Sequence, residues 1–81
     1  MRFDLYTDAA LACDIPEHCL CRGDVVKIVD HHLSPNGENG YYIEVFNAVS
    51  DTIAITAVPE SALESLRKNE VLSVRPLTAA R

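Results

Sequence analysis

The chain has 81 residues, a net charge of −5 and 48% hydrophobic residues. This length predicts a single domain over residues 1–81, with a core too small to enclose a deep active-site cavity. The negative charge weighs against nucleic acid and against an anionic membrane as partners. No apolar run approaches the roughly 18 residues of a membrane span, and the N-terminus lacks the pattern of a signal peptide. We therefore expect a cytoplasmic protein that does not enter a membrane.

Three cysteines, Cys13, Cys19 and Cys21, lie close together in the sequence. An odd number at this spacing is a poor disulfide framework, which favours a reducing compartment. With His18 they are the nearest approach to a zinc site, but Cys19 and Cys21 are closer than the usual knuckle and no second pair exists. No nucleophile–base pair or phosphate-binding glycine loop is recognisable. We therefore expect no metal, no other cofactor and no enzyme activity.

Runs of alternating apolar residues separated by turn residues predict five short strands. In chain order these are Ala9–Cys13, Asp24–Asp30, Tyr41–Phe46, Thr52–Val58 and Val71–Val74. A loop from His31 to Gly40 joins the second strand to the third, and a short helical turn, Glu60–Leu66, precedes the last strand. The pattern predicts an all-β protein.

The alternation within each strand also predicts which side chains form the core. The expected core contains Leu11, Leu20, Val26, Ile28, Ile43, Val45, Ile53, Ile55, Leu63, Leu72 and Val74. Five short strands with one brief, late helical turn favour a small SH3-like barrel. An OB-fold is the alternative, because it is also a five-stranded barrel with a helix.

Several segments also follow a pattern seen in one family. They are Asp14–His18, Leu20–Asp24, Val25–Val29, Gly40–Phe46, and the ending from Val58–Ser61 to Arg75–Leu77. On these segments the chain resembles DUF4926, a family of small bacterial proteins of unknown function, from Leu5 to Leu77. The resemblance implies an SH3-like fold and a partner encoded next door, with this chain as the antitoxin-like member of a two-gene system. The three cysteines are not part of the family pattern.

One strand carries aromatic residues on its predicted solvent side. Tyr42 and Phe46 lie on either side of Glu44, on the face opposite the core. No Lys or Arg occurs from Ile28 to Leu66, and aromatic residues are enriched at interfaces. We therefore predict a small acidic interaction module that docks a basic protein partner. The candidate surface comprises Tyr42, Glu44, Phe46, Glu38 and Asp51.

Other interpretations of the same pattern remain open. A nucleic-acid-binding barrel is the alternative function, although it would need a basic groove that the third strand lacks. The acidic stretch is equally compatible with the ordinary solvated surface of a net-negative protein. Open strand edges, in particular the uncharged Ala9–Cys13, predict self-association into a homo-oligomer.

Overall fold

A computed structural model describes residues 2–35 and 37–77. Within them one antiparallel sheet contains β1 (Asp8–Leu11), β2 (Val25–His32), β3 (Gly40–Phe46), β4 (Thr52–Pro59) and β5 (Leu63–Glu64). The strand order is β4-β3-β2-β1-β5, so β1 to β4 form a meander and β5 returns beside β1. The helical elements described are two 3₁₀ turns, Pro16–His18 and Glu60–Ala62.

The predicted all-β, five-stranded, barrel-like fold is confirmed, although the sheet does not close into a complete barrel. A meander is not the Greek-key connectivity of an OB-fold, which removes the support for that alternative. No helix in the described part of the chain is long and apolar enough to cross a membrane.

The centre of the sheet is built by β2 and β3, whose β-branched and aromatic residues suit a pleated, half-buried surface. Ile28 pairs with Ile43 in the core, and the next pair is Asp30 with Tyr42, so the strand bulges at Val29. Beyond the bulge, β2 continues to His32, whereas the sequence predicted that a loop begins at His31. The predicted inward orientation of both strands is confirmed.

The core is aliphatic with two aromatic rings, and it lies on the inner side of the sheet. It comprises Phe3, Ala9, Leu11, Leu20, Val26, Ile28, Tyr41, Ile43, Val45, Val58, Ala62 and Leu63. The hydroxyl of Tyr41, which is fully buried, accepts a hydrogen bond from the Phe3 N–H at 3.0 Å and donates one to Glu60 Oε2 at 3.0 Å. Burial of this phenol therefore leaves no unsatisfied polar group.

The predicted fifth strand, Val71–Val74, is wrong. The strand that pairs with β1 is Leu63–Glu64, with Leu63 opposite Leu11. The predicted helical turn is correspondingly shortened to Glu60–Ala62, because Leu63 has an extended backbone with φ −121° and ψ 147°. Leu72 and Val74, both expected in the core, are exposed.

Ile55 is also a correction, because its side chain is 61% exposed instead of buried. In β4 the inward anchor is Val58, and a register shift separates the pair Val45–Ala54 from the pair Phe46–Thr52. The bulged Ile53 still packs against the core, whereas Ile55 lies on the outer face. One extra residue in a strand reverses the sides of all residues beyond it, which explains the error.

The first strand is not an edge of the sheet. β1 spans Asp8–Leu11 instead of Ala9–Cys13, and it pairs with β2 on one side and with β5 on the other. The premise that an open first strand drives self-association is therefore wrong. The edges are β4, which is eight residues long, and the two-residue β5.

Candidate functional site

The predicted aromatic surface lies on the outer face of β3, the face turned away from the core. Tyr42 and Phe46 are 38% and 39% exposed, and Glu44 between them is half-buried. The predicted orientation of these three side chains is confirmed, and their role in binding a partner stays a prediction.

Tyr42 is held in place by a neighbouring strand. Its ring contacts His32 of β2 edge-to-face, with ring centres 5.2 Å apart and an interplanar angle of 81°. His31 and Tyr41, the neighbours of these two residues in the chain, also pack edge-to-face, with ring centres 5.6 Å apart. Edge-to-face packing fixes a ring orientation, so Tyr42 presents a preorganised aromatic surface to solvent.

Glu44 lies in a row of side chains that crosses the outer face. Its register neighbours are Lys27 on β2 and Ile55 on β4, and Lys27 Nζ is 3.1 Å from the Asp8 carboxylate on β1. Glu44 also accepts a hydrogen bond from Thr52 Oγ1 at 2.6 Å. Lys27 therefore lies between two carboxylates and partly compensates both, so the middle of this face has one acidic group more than it has cations.

Ile55, which was expected in the core, is a surface residue. It lies across from Glu44, and Tyr42 and Phe46 are two residues to either side of Glu44 along β3. Tyr42, Phe46 and Ile55 thus form an exposed apolar set around one carboxylate, here called the outer strip. Counting by two from the buried Val58 places Ile55 on the outer face, but no sequence signal marks the bulge that separates Ile55 from Ile53.

Glu38 and Asp51 do not join the outer strip. Glu38 accepts hydrogen bonds from the Ser61 N–H at 2.6 Å and the Ser61 hydroxyl at 3.0 Å, which holds the loop before β3 against the second 3₁₀ turn. Asp51 accepts from Asn47 Nδ2 at 3.2 Å in the β3–β4 turn. The two residues lie beyond opposite ends of β3, which at about 3.3 Å per residue are roughly 20 Å apart.

Negative charge is concentrated at the Tyr42 end of the outer strip. Asp30 is paired with Tyr42 across the strands and Glu38 lies in the adjoining loop, whereas the Glu60 carboxylate faces the core side, where it accepts from the buried Tyr41 hydroxyl. The ion pairs within the described ranges are Lys27–Asp8, Arg67–Glu64 and Arg75–Asp24. Neither Asp30 nor Glu38 takes part in them, so no cation of the described residues compensates these two carboxylates.

The cysteine cluster does not assemble a binding site in the described structure. Cys13, predicted to end the first strand, lies beyond β1 and is exposed, and Cys19 adopts a left-handed backbone with φ 58° at the end of the first 3₁₀ turn. The Cys21 N–H donates to the Asp24 carboxylate at 2.8 Å. Over residues 2–35 and 37–77, no three or more His, Cys, Asp or Glu side chains are grouped as metal ligands.

Residues 66–77, here called the C-terminal segment, cross one end of the sheet without joining it. Arg75 anchors the segment, because its guanidinium binds the Asp24 carboxylate at 2.5 and 3.0 Å and the Cys19 carbonyl at 3.0 Å. The segment borders an open groove of about 1050 Å³, whose lining includes Phe46 and Val49. Nothing in the sequence signals this anchor, since Arg75 and Asp24 are 51 residues apart.

The ionisation of Asp24 reflects this anchor. Burial raises the pKa of its carboxyl, but the hydrogen bonds from Arg75 and from the Cys21 N–H, with the charge of Arg75, outweigh burial and lower the pKa below its ordinary value. Asp24 is therefore ionised at neutral pH and holds the segment as a carboxylate.

Comparison with known protein families decides where the chain belongs. The model of the domain of unknown function DUF4926 matches residues 5–65. The chain belongs to this family. The resemblance inferred from the sequence is thereby confirmed, although the match ends at residue 65 instead of Leu77. No curated protein and no solved structure matches the chain.

The DUF4926 match ends immediately after β5, so it contains all five strands of the sheet. The outer strip and its carboxylates lie inside the family domain. The C-terminal segment, including Arg75, lies outside it. The outer strip therefore belongs to the family domain, whereas the C-terminal segment is an addition to it in this chain.

Proposed function

We propose that this DUF4926 protein is an interaction module that binds a basic protein partner on the outer face of β3 and β4. The observation that supports it is the outer strip, in which Tyr42, Phe46 and Ile55 are exposed on one face around Glu44. Exposed aromatic and aliphatic side chains that share one face supply the anchors of protein interfaces.

The carboxylates next to Tyr42 give the face its preference for a basic partner. Asp30 and Glu38 take no part in the ion pairs of the described residues, so a cationic surface would meet uncompensated charge there. Such charges mainly accelerate encounter and select the partner, whereas the apolar contacts supply most of the affinity. Glu38 and Asp51 contribute through their charge, since local hydrogen bonds occupy their side chains.

The proposal also has a more specific form. The resemblance to DUF4926 implies an antitoxin-like role with a partner encoded next door, so the product of the neighbouring gene is the first candidate to test. We place the interaction in the cytoplasm, because the three cysteines are free and a reducing compartment maintains free thiols.

The test compares the protein with the double variant Tyr42→Ala and Phe46→Ala. A pull-down from native lysate, together with the purified neighbouring gene product, identifies a candidate partner, and its affinity is then measured by calorimetry. We expect the double variant to weaken binding by about 2 kcal/mol or more, as truncation of interface anchors does. Raising the salt concentration should slow association while changing dissociation little.

The matched control is Leu33→Ala, because Leu33 is an exposed apolar residue in the loop after β2, outside the outer strip. This variant should bind with unchanged affinity. A folded double variant that binds as tightly as the wild type would show that the outer strip is not the docking surface. Retention of a labelled single-stranded oligonucleotide at moderate salt would instead favour the nucleic-acid alternative.

A further inference from the structure

The β4 strand leaves one side of its backbone open. In the described structure it pairs with β3 alone, over the eight residues Thr52–Pro59. None of these residues is charged, and Ile55 and Ala57 are exposed. Natural edge strands are usually short or protected by charge, proline or a bulge. Here the bulge and the proline lie at the two ends, and the middle of the edge is unprotected.

The C-terminal segment also has backbone groups without partners. Residues 71–74, Val-Leu-Ser-Val, have a strand-forming composition, yet Val71 and Val74 are 91% and 88% exposed. The backbone hydrogen bond described within the segment, from the Glu70 N–H to the Arg67 carbonyl at 3.1 Å, lies outside these four residues. Their N–H and C=O groups have no partner in the described chain.

Charge makes the two regions complementary as well. The described C-terminal segment contains Arg67, Lys68 and Arg75; Arg67 and Arg75 are paired with Glu64 and Asp24 of their own chain, so Lys68 is the cation outside the ion pairs of the described residues. The part of the chain that includes β3 and β4 has no Lys or Arg from Ile28 to Leu66. A strand-forming segment that carries one unpaired lysine and a neighbourhood without cations around an open edge therefore occur in the same molecule.

We propose that the free edge of β4 receives the C-terminal segment of a second copy of this chain. Strand addition to an open edge satisfies both sets of backbone groups at once. Because each copy carries one edge and one segment, two copies can satisfy each other reciprocally and form a closed two-fold dimer. The Arg75–Asp24 pair keeps the segment on the surface of its own domain and so presents residues 71–74 to the other copy. This pairing uses the β4 backbone and does not depend on the proposed partner of the outer strip.

The experiment measures the mass of the full chain in solution by sedimentation or by light scattering. We expect the mass of two chains for the wild type. Val74→Asp, which places a carboxylate in the segment, and Ala57→Lys, which places a cation on the β4 edge, should each shift the protein to the mass of one chain. Both positions are exposed, so circular dichroism should show an unchanged fold.

Mixing the two variants distinguishes the loss of the specific contact between β4 and the segment from a nonspecific effect of either substitution on the fold. A mixture of Val74→Asp and Ala57→Lys retains one wild-type pairing and brings an aspartate close to a lysine in the other. The mass of two chains should therefore return. A wild-type monomer at every concentration, a dimer that survives either substitution, or a mixture that stays monomeric would each overturn the proposal.

Two controls complete the design. Leu33→Asp changes a residue that is 69% exposed in the β2–β3 loop, and it should leave the dimer intact. Tyr42→Ala with Phe46→Ala should also remain dimeric while losing the basic partner. A dimer that is lost in either control would assign the contact to another surface and overturn the edge pairing.

Discussion

The strand β3 and residues 71–74 both contain strand-forming residues, but only β3 forms a strand in the described structure. Both contain β-branched and apolar residues that suit a strand, yet Ile43 is fully buried in the centre of the sheet and Val71 is 91% exposed. β3 has a strand on either side, whereas the sheet position beside β1 is already filled by Leu63–Glu64. Strand propensity is therefore realised only where a backbone partner and a surface to pack against are available.

The competition for the position beside β1 has a physical explanation. Leu63 follows β4 after a single 3₁₀ turn, so it reaches β1 with a short connection and buries its side chain against Leu11. Residues 71–74 would have to close a longer loop to occupy the same place, which costs more conformational entropy. The earlier segment therefore takes the position, and the later one is left without a partner in its own chain.

The largest expected contrast between these two regions is the effect of removing an apolar side chain. Ile43→Ala should lower the free energy of unfolding by about 2–5 kcal/mol, because it leaves a cavity in the core. In the Ala57→Lys background, which is expected to be monomeric, Val71→Ala should change it by no more than about 0.5 kcal/mol, as expected at an exposed position. Urea denaturation measures both. A comparable loss in the Val71 variant would mean that the segment packs within its own chain.

A smaller contrast is expected between the two adjacent tyrosines of β3. Tyr41→Phe removes the hydroxyl that binds the Phe3 N–H and Glu60, and it should cost about 1–3 kcal/mol because a buried donor loses its acceptor. Tyr42→Phe, on the outer face, should leave stability within about 0.5 kcal/mol of the wild type. Thermal unfolding monitored by circular dichroism compares the two. Equal effects would contradict the structural role assigned to the Tyr41 hydroxyl.

The smallest effect on global stability is expected at the anchor of the C-terminal segment. Arg75→Ala removes a partly exposed ion pair and should cost no more than about 1 kcal/mol. The segment itself should become more mobile, which backbone NMR relaxation of residues 66–77 would detect. Arg67→Ala is the control, because the Arg67–Glu64 pair is more exposed and joins residues only three apart. Unchanged relaxation in the Arg75 variant would show that the anchor does not restrain the segment.

The same anchor should depend on pH. Since the pKa of folded Asp24 lies below its ordinary value of 3.8, its stabilising contribution is complete above that value and is lost as the pH falls through the folded pKa. Relaxation of the segment should therefore be constant at neutral pH and increase only in the acid range below 3.8. Asp24→Asn should abolish this dependence. A transition at neutral pH would contradict the assignment of this dependence to Asp24.

The sequence-based predictions were right where the local residue pattern favours the same structure as the packing of the folded chain. The strands β2 and β3, the burial of Leu20 and the outward orientation of Tyr42 and Phe46 all follow from alternation and turn residues. The position of Ile55 could not be derived from alternation alone, because a bulge at Ile53 interrupts it. The last strand was missed because a two-residue strand carries too little pattern to compete with a stronger apolar run.

The candidate site was predictable to a similar extent. The positions of its aromatic residues follow from the alternation in β3. The hydrogen bonds from Ser61 to Glu38 join residues 23 positions apart and have no sequence signal. The same is true of the Arg75–Asp24 anchor. Hydrogen bonds between distant loops depend on the completed fold and cannot be predicted from the spacing of the residues.

The Tyr41 hydroxyl also bears on the order of folding. It joins β3 to Phe3 and to Glu60, across 38 and 19 residues of chain. Contacts between such distant residues require large loops to close and generally form after the local hairpins. The β2–β3 and β3–β4 hairpins should thus assemble before the N-terminal residues and the second 3₁₀ turn are attached. Removing the hydroxyl should then accelerate unfolding while hardly changing the folding rate, as expected of a contact absent from the transition state.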